Sequence, residues 1–284
     1  VKDCLADTGM DNKSMLKCRN MFAVGLVCWL FNRDLNIAED FIREKFSKKP
    51  EIAEANIKVV RAGYDYGHNT HASVAHTYKI ESKAAVPGKY MDITGNKATA
   101  YGFIAAAEKA GLKLYLGSYP ITPATDVLHE LSKHKSLGVT TVQCEDEIAG
   151  CASAIGASYA GALAVTSTSG PGICLKSEAM NLAVIMELPL VVLDVQRGGP
   201  ATGLPTKSEQ TDLLQVLFGR NGESPMPVIA ATSPTDCFDS AYMAAKIALE
   251  HMTPVVLLTD AFVANGSGAW KLPKLADYPA INPP

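Results

Sequence analysis

Beyond residue 113 the chain alternates between short apolar runs and helix-spaced segments, and that alternation leaves few folds open. The apolar runs fall at 113–117, 139–143, 163–167, 188–195, 226–230 and 254–259. Helical spacing of apolar residues fills the gaps at 125–134, 146–160, 175–186, 208–217 and 235–251. Runs of this length bounded by turn residues read as buried strands. Strand–helix alternation predicts an α/β fold: a doubly wound, mostly parallel sheet with helices on both faces. In such a sheet the loops after the strands' carboxyl ends gather on one edge, and ligands bind there.

Three of those loops carry chemistry. Tyr119-Pro120-Ile121-Thr122-Pro123 follows the first run. Proline on either side stiffens it, so the Thr122 hydroxyl is either a fixed donor for a ligand or a turn hydroxyl serving its own backbone. Glu145, Asp146 and Glu147 open a segment of small residues, Ala149, Gly150, Ala152 and Ala154. Acids in a first helical turn are stabilised by the helix dipole, yet the small residues would also let a flat ligand approach one of these carboxyl groups. Arg197 precedes Gly198 and Gly199, with Thr202 close behind. Arginine suits bidentate carboxylate binding, although an Arg-Gly-Gly alone also fits a surface turn.

Two further segments are less specific. Thr168-Ser169-Gly170-Pro171-Gly172 fits neither a G-x-S-x-G elbow nor a phosphate loop, and reads as a tight strand-to-helix turn. Lys207, Glu209 and Gln210 read as capping or loop-fixing residues that open the next helix. No G-x-G-x-x-G follows the first run, which argues against a nicotinamide or flavin site.

The remainder is mainly helical at first, with patterns over 13–31, 37–46 and 52–63; Asn36 is the expected cap of the second and Gly63 the expected end of the third. His68, His71 and His76 lie in a polar connector without helix-spaced partners and read as surface histidines. A linker is expected over 82–95, a helix over 98–110, and a second linker over 263–284.

A hydrophobic content of 48% provides for a sizeable core, and a net charge of −3 offers no reason for a nucleic-acid partner. Seven cysteines without a C-x-x-C pair argue for reduced thiols and against an iron–sulfur cluster held by this chain. The longest apolar run, from Met21 to Phe31, has 11 residues, too few to span a bilayer as a helix. No signal-peptide pattern is present, and a cytoplasmic location is expected.

Taken together, Tyr119–Pro123, Glu145–Glu147 with its alanine-rich helix, Thr168–Gly172 and the stretch from Gln196 to Pro205 resemble the alpha subunit of 2-oxoacid:ferredoxin oxidoreductases. The nearest likeness is to the 2-oxoglutarate type with a gamma domain fused ahead of the alpha domain. The likeness covers residues 94–262 well, and Arg61-Ala62-Gly63-Tyr64 is similar to the tail of the gamma domain. It implies a gamma remnant and linker over 1–85, a pyrimidine-binding alpha domain over 94–262, and a linker to a further domain over 263–284.

The resemblance also implies an activity. Such an enzyme uses thiamine diphosphate to decarboxylate a 2-oxoacid oxidatively, forming acyl-coenzyme A and carbon dioxide and passing electrons to ferredoxin. It implies that Glu147 is the catalytic acid on the cofactor's aminopyrimidine, with Tyr119, Pro120, Ile121 and Pro123 against the cofactor. Thr122, Arg197 and Thr202 would then bind the substrate. A beta subunit would supply the diphosphate and magnesium half-site, an iron–sulfur cluster would lie on a partner chain, and the assembly would be a dimer of heterodimers. Rival expectations are a relative acting on pyruvate or branched-chain 2-oxoacids, and a non-catalytic nucleotide-binding α/β module.

Overall fold

A computed structural model describes residues 1–71, 76–80 and 86–284. The chain forms two units, Val1–Pro87 and Gly88–Pro284.

The first unit contains α1 (Lys2–Leu5), α2 (Asn12–Lys17), α3 (Arg19–Leu30), α4 (Leu35–Lys45) and α5 (Pro50–His71). The helix expected over 13–31 is two helices that meet at Cys18. Asp34 caps α4 in place of Asn36, because its extended backbone lets the carboxylate accept the Asn36 amide at 2.9 Å. Gly63 does not end α5. It lies at the contact with α3, where a Cβ would come 2.0 Å from the Phe22 carbonyl oxygen. Across the same contact, a Cβ on Gly25 would come 1.9 Å from the Val60 carbonyl oxygen. The two glycines therefore serve close helix packing. Gly25→Ala is expected to force the helices apart and cost this unit about 1–3 kcal/mol, as overpacking does; chemical denaturation reads it.

Buried Glu39 accepts from Nε and Nη2 of Arg61 at 2.7 Å each, and this contact holds its carboxyl below the usual carboxylate range. His68 and His76 are exposed. The side chain of His71 and residues 82–85 of the expected linker lie outside the described residues. Among the described residues, no three His, Cys, Asp or Glu side chains are grouped to hold a metal ion.

The second unit has eight strands: β1 (Tyr90–Thr94), β2 (Leu114–Ser118), β3 (Val139–Gln143), β4 (Leu163–Thr168), β5 (Leu190–Gln196), β6 (Val228–Ala230), β7 (Pro254–Asp260) and β8 (Ser267–Lys271). Its helices are α6 (Gly95–Ala110), α7 (Thr125–Leu131), α8 (Glu147–Tyr159), α9 (Gly170–Leu175), α10 (Ser177–Ile185), α11 (Leu213–Phe218), α12 (Asp236–His251) and α13 (Ala261–Asn265). Strands β2 to β7 form one parallel sheet in the order β3-β2-β4-β5-β7-β6. β4, β5 and β7 are buried along their whole length, as strands covered on both faces must be. α6, α7 and α12 pack on one face, through residues such as Phe103, Leu131 and Tyr242. α8, α9, α10 and α11 cover the other, through Ile155, Ile173, Met180 and Val216. The doubly wound expectation holds.

A strand falls within each of the two stretches expected as linkers. β1 pairs antiparallel with β8, from Tyr90↔Lys271 to Thr94↔Ser267. Beyond β8 the chain stays on the unit: Tyr278 meets Tyr242 edge-on at 4.9 Å between centroids, and Ile281 is buried in the core. Residues 263–284 therefore pack on the sheet's own unit. Ser267 and Gly268 open β8 and carry little strand preference, so its strand character comes from its distant partner and from Trp270, which packs on Phe238.

Candidate active site

The strand order changes direction at β2. Its neighbour on one side is β3, on the other β4. Loops leaving the two sides diverge and open a crevice at the carboxyl ends. Backbone pairing of β2 with β4 runs from Leu114↔Leu163 to Leu116↔Val165. Past that point serines hold the strands together: Ser118 Oγ lies 2.8 Å from Ser167 Oγ and donates to the Ser167 carbonyl at 3.0 Å. The end of β4, Thr166-Ser167-Thr168, is wholly buried despite its polarity.

Glu147 is the first residue of α8. The Asp146 carboxylate caps the helix by accepting the Ala149 amide at 2.7 Å. The Cys144 amide donates to the Ser118 carbonyl at 2.8 Å, which draws this end toward β2. The Glu147 side chain is buried, and among the described residues no protein group hydrogen-bonds its carboxylate. Gly172 leaves it room: a Cβ there would lie 1.9 Å from Thr168 Oγ1 and 2.8 Å from Glu147 Cγ.

Beneath it lies a residue the sequence reading missed. Lys176 is fully buried between α9 and α10, and its Nζ donates to the Glu147 carbonyl at 3.0 Å and to Thr166 Oγ1 at 2.8 Å. Burial holds its ammonium below the ordinary lysine range. Its signal was a lysine on an apolar helical stripe with Ile173, Met180 and Ala183. The helix expected over 175–186 divides at this residue.

Arg197 follows β5 and is 4% exposed. Nη1 donates to the Thr122 carbonyl at 2.6 Å and Nη2 to the Thr202 carbonyl at 2.7 Å, while Nε is buried without a partner. Burial lowers its proton affinity, and the charge of Glu147 acts in the opposite sense, so both groups lie in one electrostatic field. Thr122, Thr202 and Tyr119 are exposed, Pro120 and Ile121 half-buried, and Pro123 buried. The two threonines serve Arg197 through main-chain carbonyls. Among the described residues their hydroxyls make no hydrogen bond within the protein.

A cavity of about 670 Å³ lies beside Arg197, lined among others by Gly170, Pro171, Cys174, Thr202 and Asp212. Arg197 and Thr202 are on its wall; Glu147, Thr122 and Tyr119 are not. Arg197 is the bridge, since it lines the cavity and its guanidinium also reaches the Thr122 loop. Lys207, Glu209 and Gln210 do not open a helix, because α11 starts only at Leu213. Glu209 and Gln210 fix the loop: Glu209 accepts the Gly199 amide at 3.2 Å, and Gln210 donates to Asp260 at 2.6 Å.

The chain is similar to known proteins. A model of the family "pyruvate flavodoxin/ferredoxin oxidoreductase, thiamine diphosphate-binding" matches residues 105–283, and one of pyruvate ferredoxin/flavodoxin oxidoreductase matches residues 6–66. The chain is 57% identical over 273 residues to the 2-oxoglutarate oxidoreductase subunit KorA of Mycobacterium tuberculosis, covering 96% of this chain and 42% of that protein. It is 33% identical to subunit alpha of the 2-oxoacid:ferredoxin oxidoreductase 1 of Aeropyrum pernix, covering 90% of this chain and 40% of the relative. The 2-oxoglutarate:ferredoxin oxidoreductase of Magnetococcus marinus, solved with 2-oxoglutarate, coenzyme A and succinyl-coenzyme A bound, superposes with a TM-score of 0.86 at 34% identity. That superposition covers 99% of this chain and 47% of the solved one. The chain thus spans less than half the length of these relatives. The thiamine diphosphate-binding match runs over more than half of the present chain and takes in the loops that bear Glu147 and Arg197, so this chain belongs to the pyruvate flavodoxin/ferredoxin oxidoreductase family.

Proposed function

We propose that this chain is the pyrimidine-binding portion of the alpha subunit of a 2-oxoglutarate:ferredoxin oxidoreductase. The reaction converts 2-oxoglutarate and coenzyme A to succinyl-coenzyme A and carbon dioxide, and ferredoxin takes the electrons. One observation carries the reading: a buried arginine lines a cavity and feels the charge of a buried carboxyl, and among the described residues neither its Nε nor that carboxyl has a hydrogen-bonded protein partner. The 57% identity to a 2-oxoglutarate oxidoreductase subunit supports that substrate over pyruvate.

The residues fit thiamine diphosphate. Glu147 has no hydrogen-bonded partner within the protein among the described residues, as a carboxyl awaiting a ring nitrogen should. When bound, the cofactor supplies the carbon nucleophile and the electron sink for decarboxylation. Glu147 would hold the proton at the aminopyrimidine nitrogen, and Tyr119, Pro120, Ile121 and Pro123 would hold the ring. Arg197 has three N–H groups left after its two carbonyl contacts, and they orient the substrate carboxylate. The hydroxyls of Thr122 and Thr202 complete the substrate's hydrogen bonds. A beta subunit holds the diphosphate with magnesium, an iron–sulfur cluster on a partner chain relays the electrons, and the assembly is a dimer of heterodimers in the cytoplasm.

Co-expression with the beta subunit tests this. Coenzyme A-dependent dye reduction is expected with 2-oxoglutarate at a higher kcat/KM than with pyruvate or a branched-chain 2-oxoacid. Preference for pyruvate would overturn the substrate assignment. A folded, thiamine-loaded complex inert to every 2-oxoacid would overturn the enzyme itself.

A further inference from the structure

Asp194 lies in the middle of β5, fully buried, with neither carboxyl oxygen receiving a hydrogen bond from any donor N–H or O–H outside the carboxyl groups themselves. Another acid, Asp212, faces it: the Asp212 amide is held by Gln196, two residues along the same face of β5, and the two carboxyl groups act on one another directly. Asp212 sits just before α11, and its Oδ2 and Oδ1 are 3.3 and 3.4 Å from where a Gly170 Cβ would stand. Oδ2 of Asp212 is also buried without a donor. Two carboxyl groups in such a place cannot both ionise cheaply, because like charges in a desolvated site repel.

Asp212 ends the loop over 198–212. That loop begins at Arg197, is closed by Leu204 N donating to Gly198 O at 2.7 Å and Gly198 N donating to Lys207 O at 2.8 Å, and forms much of the cavity wall. Its far end meets β5 at two points on one strand face. The Asp212 amide donates to Gln196 Oε1 at 3.0 Å, and the Asp212 carboxyl meets Asp194.

We propose that Asp194 and Asp212 share one proton, and that this acid–carboxylate contact clasps the end of the 198–212 loop to β5, making the pair a proton-dependent positioning device for the cavity wall. The inference takes the cavity beside Arg197 as the substrate pocket and so rests on the function proposed above for its catalytic consequence, although the clasp itself does not.

Asp194 carries the proton, since burial pushes its carboxyl well above the usual carboxylate range. Asp212 accepts from it and is raised less, being less buried and also receiving the Thr211 hydroxyl at 3.4 Å. The other charged or titratable groups facing the pair are Lys176, whose ammonium favours ionised Asp194, and Cys174 of α9. The register partners of Asp194 on β4 and β7, Thr168 and Leu258, are neutral. A carboxyl raised in the folded state contributes its stabilisation while protonated and loses it as pH rises through the raised value. At that point the pair gives one proton to solvent, two carboxylates face each other, and the loop end is released.

Hydrogen–deuterium exchange of the 198–212 amides in the assembled complex tests the clasp. After correction for intrinsic exchange, the wild-type loop is expected to exchange severalfold faster at alkaline pH than at acidic pH, as for a local opening. Asp194→Asn keeps a permanent N–H donor toward Asp212, so its loop should stay protected across that range, and KM for the 2-oxoacid should lose the alkaline rise expected of wild type. Asp212→Asn, donating toward Asp194, should behave alike and serves if the first variant does not fold. Loop protection independent of pH in wild type, or the same pH dependence in both variants, would overturn the clasp. A pH-dependent loop with KM unaffected by replacing Arg197 would leave the clasp standing and remove the pocket assignment instead.

Discussion

Glu147→Gln is expected to lower turnover by about 10³-fold, within the range general acid–base catalysis contributes, with the thermal melt unchanged. The side chains are nearly isosteric, and nothing that builds this corner of the fold uses the carboxylate. Asp146 caps α8, and Lys176 grips the Glu147 main-chain carbonyl, which glutamine retains. The Gly172 gap accommodates either side chain. What glutamine cannot do is give and take a proton at a ring nitrogen. Dye reduction by the assembled complex measures turnover, and a melt of the same sample measures folding. Turnover within a few-fold of wild type would remove Glu147 from the chemistry.

Arg197→Leu is expected to lower kcat/KM for the 2-oxoacid by about 2–5 kcal/mol, the usual cost of truncating one partner of a hydrogen-bonded charge pair. Two losses contribute. The substrate carboxylate loses its guanidinium, and the Thr122 and Thr202 carbonyls lose the donor that joins their loops. Arg197→Lys separates them from a simple loss of charge. Lysine keeps the charge but is a point donor without a planar fork, so it cannot span both carbonyls and offer two parallel N–H groups. Lysine is therefore expected to recover little activity. KM for the 2-oxoacid should rise while KM for coenzyme A stays put. If both variants lower only the melting temperature, Arg197 is a structural clasp and binds no substrate.

The fold was legible because its signals are local. Buried parallel strands read as continuous apolar runs, and β3 was bounded correctly from its own residues alone. The positions of Glu147 and Arg197 at the sheet's carboxyl edge were legible for a similar reason, since each follows closely on such a strand, whereas the roles proposed for them came from the family resemblance. Gly63 was misjudged because a glycine near a helix end and a glycine at a helix crossing look the same in sequence; only the Phe22 carbonyl packed against it distinguishes them. Lys176 and Asp194 broke apolar patterns, but a break shows that a residue is unusual without naming its partner.

Period, element type and the edge on which the loops gather follow from neighbours along the chain, so the residues from 113 to 259 dictated them unaided. The pairing of β1 with β8, the reach of Arg197 to a carbonyl 75 residues away and the meeting of Asp194 with Asp212 depend on which distant segments the folded chain brings side by side. Local sequence sets each strand's own alternation but leaves its neighbour unspecified, and a neighbour comes into being only when the whole sheet has formed.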